Sequence, residues 1–397
     1  MRLYRSVSYF VLLLVLGISA HASTHDTIPS GFSQKPSWKI GVEINPVWVP
    51  GTNSFLKGNN NELKKVRAGL SGDIRADFSF APDTKEGVLY PDLYQGVGIG
   101  VNSLFSNKLL GTPITAYIYQ GAPIVHLSNR LWVGYEWKFG AAFGWKHYDE
   151  ETADNNAVVS TSVTAMLGAG VKLHYSLSDR WTLSAGVTAV HYSNGNTSWP
   201  NAGVNSIGAA IGISYILNQQ KQAISSPLWL MEEADRGRWL YDIMIFGAWR
   251  KRAVNIGDNP QICPGKFGIA GIQISPLRQF NRWLAAGPAL DLQWDESAGL
   301  EPYWIEGTSG DNVKFERPPF GKQLSVGISA HAELTMPIFS VNAGIGYDII
   351  NPKGEKRFYQ SLTLKTFLTK NIFLNVGYRL GDFKDPQNLM LGVGVRL

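Results

Sequence analysis

One stretch of this sequence gathers side chains able to do chemistry. It runs Ala189-Val190-His191-Tyr192-Ser193-Asn194-Gly195-Asn196 and is followed by Pro200-Asn201-Ala202-Gly203-Val204-Asn205. Trp181, Leu183, Ala185, Val187 and Ala189 are apolar at every second position, so the segment reads as a strand with one greasy face. His191 and Ser193 continue that face. In the next segment Ile207, Ala209, Ile211, Ile213, Tyr215 and Leu217 form the apolar set, and Asn205 shares their parity. An imidazole, a hydroxyl and a carboxamide therefore converge on the apolar side of two neighbouring strands, near one end. A hydroxyl beside an imidazole suits nucleophilic catalysis with a general base. Interfacial polar residues are the other reading, and parity leaves both open. Alternate residues along a strand have Cα atoms about 6.6 Å apart, so the two side chains meet only where the strand end bends. His147, His174 and His331 lack ligand spacing and read as ordinary lumen or interface histidines. Gly96-Val97-Gly98-Ile99-Gly100 reads as glycine-rich strand, because no helix follows to make it a phosphate loop.

The elements that must position these groups are strands throughout. The chain has 397 residues and a formal charge of +5, with 17% charged and 12% aromatic residues. That mixture is too apolar for disorder and too weakly basic for a nucleic-acid groove. Residues 1–22 read as a secretory signal peptide: Arg2 and Arg5 precede an apolar run over 9–18, and Ala20-His21-Ala22 offers the cleavage site. Cys263 is the one cysteine, so no internal disulfide can form in an exported chain. Beyond residue 22 no apolar run reaches the 18 or so residues that a transmembrane helix requires. Strict alternation, the signature of a membrane barrel, recurs instead. In 131–147 the odd positions Leu131, Val133, Tyr135, Trp137, Phe139, Ala141, Phe143 and Trp145 oppose Glu136, Lys138, Gly140, Gly144 and Lys146. Long strands with charged or glycine-rich polar faces, together with the Trp and Tyr supply, favour a membrane barrel over a soluble sandwich.

The fold class expected is all-β, an antiparallel transmembrane β-barrel of the outer membrane with about 14–16 strands. An eight-stranded barrel plus a second β unit is the alternative. The count rests on about sixteen segments beginning near Trp38, Lys65, Tyr94, Thr112, Arg130, Val158, Arg180, Val204, Arg238, Lys266, Trp283, Lys322, Phe339, Arg357, Asn371 and Asn388. With the N-terminus inside, connections after even strands should be short and those after odd strands long. The stretches 82–91 and 219–237 are the misfits. The second is read as a connecting segment between a region over 23–218 and another over 238–397 that completes the barrel or forms a second one. The final strand, with Leu389, Leu391, Val393, Val395 and Leu397 on one face, suits barrel closure and the outer-membrane assembly machinery, although Leu397 stands where many such proteins carry an aromatic residue.

The His-x-Ser-Asn stretch at His191–Asn194, followed by the Pro-Asn-x-Gly of residues 200–203, resembles the outer-membrane lipid A 3-O-deacylases. More diffusely, the likeness covers about 38–218, and the whole chain resembles the larger, acyloxyacyl hydrolase-type members. The resemblance implies an eight-stranded barrel with an esterase site facing the outer leaflet. It implies Ser193 as nucleophile, His191 as its general base and Asn194 as a contributor to the oxyanion hole. The family's orienting acid, a Glu, falls on Asn205 here. An amide can hold an imidazole tautomer but lacks the charge that stabilises imidazolium.

The function expected is therefore hydrolysis of an ester-linked acyl chain of lipid A, with no metal, nucleotide or other cofactor needed. The partner is lipid A or lipopolysaccharide in the outer leaflet, and the location the Gram-negative outer membrane. A porin-like channel is the alternative from another class, since sixteen strands would enclose a wide polar lumen. An inactive barrel disarmed by Asn205 is a third.

Overall fold

The computed structural model describes residues 35–149, 156–218, 236–256, 259–303 and 314–397. The expected signal peptide and residues 219–235 of the expected connecting segment lie outside these. Sixteen long strands form two closed antiparallel barrels of eight strands each. The closure is the one held as the alternative, with two narrow barrels among the described residues in place of one wide barrel. All sixteen starts fall within a few residues of those inferred from alternation.

The first barrel consists of β1 (Ser37–Trp48), β2 (Ala68–Ser79), β3 (Tyr94–Ser103), β4 (Gly111–His126), β5 (Leu131–Trp145), β6 (Val163–Ser176), β7 (Trp181–Ser193) and β8 (Val204–Ile216). It closes where β8 pairs with β1, with Val42 opposite Ile213. One end carries long connections, over 49–67, 104–110, 146–162 and 194–203. The other carries tight turns over 127–130 and 177–180, and a longer connection after β2 that holds a short helix, α1 (Lys85–Leu89), capped by the Thr84 side chain. That helix accounts for the misfit at 82–91.

Side-chain alternation sorts the strands as expected. In β7, Val187 is 60% exposed and its neighbour Thr188 only 6%. The outer wall is apolar, with exposed Trp38, Tyr175 and Trp181 near the short-turn end and Trp48 at the other, the girdle arrangement of a membrane barrel. The inside is a buried ion network. Glu43 accepts from Arg75, Lys138 and Lys172, while Glu136 accepts from Arg75 at 2.5 Å, Lys172 at 2.8 Å and the Tyr94 hydroxyl at 3.1 Å. Each charge sits among partners, which offsets the large cost of burying it.

The second barrel consists of β9 (Trp239–Arg250), β12 (Phe267–Asn281), β13 (Leu284–Asp295), β16 (Leu324–Thr335), β17 (Phe339–Ile350), β18 (Phe358–Phe367), β19 (Ile372–Gly381) and β20 (Asp385–Arg396), closed by β20 on β9. Two small ribbons, β10 (Ala253–Ile256) with β11 (Asn259–Ile262) and β14 (Glu301–Tyr303) with β15 (Lys314–Glu316), decorate its long connections. Its interior repeats the charge logic with other residues. Lys365 and Arg396 both donate to Asp242 and Glu333, at 2.5 to 2.7 Å. In both barrels inward side chains bridge the interior from strand to strand, as the narrow bore of eight strands allows. The channel reading loses the wide lumen on which it rested.

Candidate active site

The polar trio lies at the long-loop end of the first barrel. His191 on β7 stands directly opposite Asn205 on β8, and Ser193 opposite Ala165 on β6. The parity expected of them holds: the flanking Tyr192, Val204 and Ser206 are buried in the interior, whereas His191, Ser193 and Asn205 are half-buried on the outer side. His191 Nδ1 meets Asn205 Oδ1 at 2.7 Å. With the amide oxygen as acceptor, Nδ1 carries the proton and Nε2 keeps its lone pair, a tautomer inferred from the hydrogen bond. Nε2 is thus the nitrogen able to take a proton from a hydroxyl. Among the described residues, Ser193 Oγ makes no hydrogen bond to that nitrogen. An open contact of this kind in a substrate-free structure does not exclude the pairing.

Asn194 is held twice. Its backbone N–H donates to Asn201 Oδ1 at 3.0 Å and its Nδ2 to Ser160 Oγ at 2.9 Å. Both N–H groups that could face an oxyanion therefore have partners in this state. Asn201 and Ser160 were not singled out as site residues from sequence, although Asn201 stands inside the Pro-Asn-x-Gly stretch that was.

Gly203 is the third such omission. Its φ is +68°, and a Cβ built there would lie 2.9 Å from the Tyr192 carbonyl oxygen and 3.0 Å from His191 Cε1. Only glycine lets the backbone lie this close against the imidazole. Three connections meet on it. Gly203 N–H donates to the Val158 carbonyl at 3.0 Å, Ala202 N–H to the Ala157 carbonyl at 3.0 Å, and Asn53 Nδ2 to the Gly203 carbonyl at 3.5 Å. Beneath them, Phe55, Leu56, Val66, Val158, Val159, Tyr192 and Val204 form a buried apolar plug. The loop backing the imidazole is therefore fixed by packing as well as by hydrogen bonds.

The remaining histidines are elsewhere. His174 stacks on Trp132 at 3.7 Å inside the first barrel. His331 is buried inside the second, between Ser329 at 2.8 Å and Asn342 at 2.6 Å. His147 is exposed and bonds the Tyr148 carbonyl. Glu136 points into the lumen network, as its parity required.

Two family profiles match the chain. The profile described as lipid A 3-O-deacylase matches residues 127–214, and the one described as acyloxyacyl hydrolase, C-terminal domain, matches residues 239–397. The chain belongs to the lipid A 3-O-deacylase family. The first match spans β5 to β8 and so includes His191, Ser193, Asn194 and Asn205, while the second takes in the whole second barrel. The family member described here thus carries its polar trio in one barrel and the C-terminal domain as another. Among curated proteins none matches the chain. Solved structures similar in fold include Neisserial surface protein A, at 10% identity over 45% of this chain and 96% of that one, with a TM-score of 0.31. A designed transmembrane β-barrel matches at 16% identity over 47% of this chain and all of that one, with a TM-score of 0.22. The Pseudomonas putida toluene transporter TodX matches at 10% over 96% and 91%, with a TM-score of 0.17.

Proposed function

We propose that this protein is an outer-membrane esterase that removes an ester-linked acyl chain from lipid A. The observation that carries the reading is the His191 to Asn205 hydrogen bond on the outward face of the barrel, beside Ser193 and at the long-loop rim. Lipid A holds its esters near the headgroup plane with acyl chains in hydrocarbon, so the cutting groups belong on an outer wall near a rim. In the reaction Ser193 Oγ attacks the acyl carbonyl carbon as His191 Nε2 takes the hydroxyl proton. His191 then passes that proton to the departing sugar oxygen as the sugar–acyl bond breaks. The same nitrogen then deprotonates a water that attacks the acyl-serine carbonyl, and the proton passes on to Ser193 Oγ as its bond to the acyl carbon breaks and the fatty acid leaves. Asn194 serves the developing oxyanion by exchanging its bond to Asn201 or Ser160 for the new charge, a donor that reorganises on attack and is not preset. Asn205 keeps the imidazole in register. The closing strand β20 is the segment we assign to the assembly machinery.

Mass spectrometry of lipid A from cells with and without the gene tests the function. Loss of one acyl chain only where the protein is present supports it, and unchanged lipid A overturns it.

Orientation is tested separately. In a variant with Cys263 replaced, Ala202→Cys should react with a membrane-impermeant maleimide on intact cells, because Ala202 is exposed at the long-loop end. Ser178→Cys, in a short turn, should not. The native thiol needs removal even though it is buried, with burial pushing its pKa up. Reversed labelling would put the trio in the periplasmic leaflet, out of reach of the substrate.

Gly203→Ala is expected to lower deacylation about tenfold or more with the barrel still heat-modifiable on gels. The new methyl group would have to displace the imidazole or the Tyr192 carbonyl, and misplacement by about 1 Å can cost about 10²-fold. Full activity in this variant would show that the loop does not set the ring position.

A further inference from the structure

The connection between β1 and β2 has features that the esterase chemistry does not use. Phe55, Leu56 and Val66 anchor it, each no more than 3% exposed. Asn60, also buried, ties its tip with its whole side chain. Nδ2 donates to the carbonyls of Phe55 at 2.8 Å and Lys64 at 2.7 Å, and Oδ1 accepts from the N–H groups of Glu62 and Lys64 at 3.2 Å. The tip so fixed holds Leu63 at a φ of +52°, the left-handed region that a leucine seldom adopts. It also leaves Leu63 84% exposed. A strained backbone that turns an apolar side chain outward, on a loop stapled from beneath, needs a reason outside the fold.

The flanking residues supply one. Lys57, Lys64, Lys65 and Arg67 are exposed on the same connection, against Glu62 as its one acid. Among the described residues none of these four cations is in an ion pair. That contrasts with the charge networks inside both barrels, where cations sit on carboxylates. The loop touches the site, through Asn53 and Gly203.

We propose that this tip is a docking surface for the phosphorylated headgroup of an anionic lipid. The lysines meet the phosphates, and Leu63 enters the boundary between headgroup and acyl chains. An exposed leucine beside cations that form no ion pair among the described residues suits a lipid better than a soluble phosphate, because only the lipid offers both an anion and an apolar layer. The inference deepens the esterase reading and rests on it for orientation. It implies that the protein prefers phosphorylated over dephosphorylated lipid A.

The test compares the parent with Lys64→Gln/Lys65→Gln and with the same pair plus Leu63→Asn. Asn tolerates a positive φ, so the triple variant keeps the backbone while removing the apolar side chain. Binding to phosphorylated and to dephosphorylated lipid A in detergent micelles is measured with Ser193→Ala in every protein, so no substrate is consumed and the result does not depend on turnover. The parent should bind the phosphorylated lipid about tenfold more tightly. The double variant should lose most of that preference and its salt dependence, and the triple should bind both lipids more weakly still. Equal affinity of parent and double variant for phosphorylated lipid A would overturn the proposal. So would an equal loss on both lipids in the double variant, or full displacement of the lipid by millimolar inorganic phosphate, which would mark a soluble-anion site. Because binding is read without catalysis, an esterase that fails its own test leaves this outcome distinct.

Discussion

Ser193→Ala should remove deacylation to background while the first barrel stays folded and heat-modifiable. The expected scale is large, because removing the serine of a Ser-His catalytic unit costs about 10⁶-fold in turnover in a serine protease. Stability should hardly change. Ser193 is half-buried at a strand end and has no hydrogen bond to His191 in the resting state, and surface substitutions away from packed features stay within about 0.5 kcal/mol. Ser206→Ala is the internal control. That serine sits one residue beyond Asn205 with its side chain buried inside the barrel, so the same chemical change should be nearly silent for activity. The comparison separates a nucleophile from a serine that merely occupies the right neighbourhood. Retained activity in Ser193→Ala would sink the assignment. Equal loss in both variants would point to damage of the barrel end.

The control is available because alternation is the most legible signal in this chain. Strand starts, the outward placement of His191 and Ser193, and the shared parity of Asn205 all follow from a period of two, since a one-residue slip would turn the greasy wall inward. The His191 to Asn205 pairing follows further, because two outward residues at adjoining strand ends have few places to be except opposite one another. Closure is a different matter. Each strand reads the same in an eight- as in a sixteen-stranded barrel, and what decides is which strands find which partners. Val42 opposite Ile213 closes the first barrel, and Val393 opposite Ile245 the second. Nothing in β1 or β8 alone encodes that choice.

The site's surroundings were less visible for a related reason. Gly203 acts through the left-handed backbone and the absence of a Cβ, Asn201 through one bond to a main-chain N–H, and Asn60 through bonds within its own loop. These contacts have no periodicity. In sequence such residues are ordinary turn formers, and only coordinates separate a turn that packs on an imidazole from one that does not.

The departure at Asn205 gives the second large effect. An amide oxygen facing Nδ1, the orientation of the 2.7 Å contact, leaves the lone pair on Nε2. Yet an amide can also rotate to present its N–H₂, which would favour the opposite tautomer and put the proton on Nε2. A carboxylate has only acceptors, so it enforces the productive tautomer, and its charge stabilises the imidazolium formed during attack. Asn205→Glu is therefore expected to preserve or raise deacylation, with kcat gaining more than KM changes. Asn205→Leu removes the acceptor and leaves the ring unheld on the outer wall. In a serine protease, replacing the orienting acid by an amide that held the wrong tautomer lowered kcat about 10⁴-fold, which sets the upper scale for the leucine variant. Lipid A mass spectra of cells expressing each variant, with kcat and KM from purified protein in micelles, decide the matter. If the leucine variant matches the parent, Asn205 does not orient His191, and the third member must be sought among outward groups of β6 and β8. If the parent is inactive and Asn205→Glu alone cuts lipid A, the chain is a deacylase fold whose catalytic unit lacks one charge.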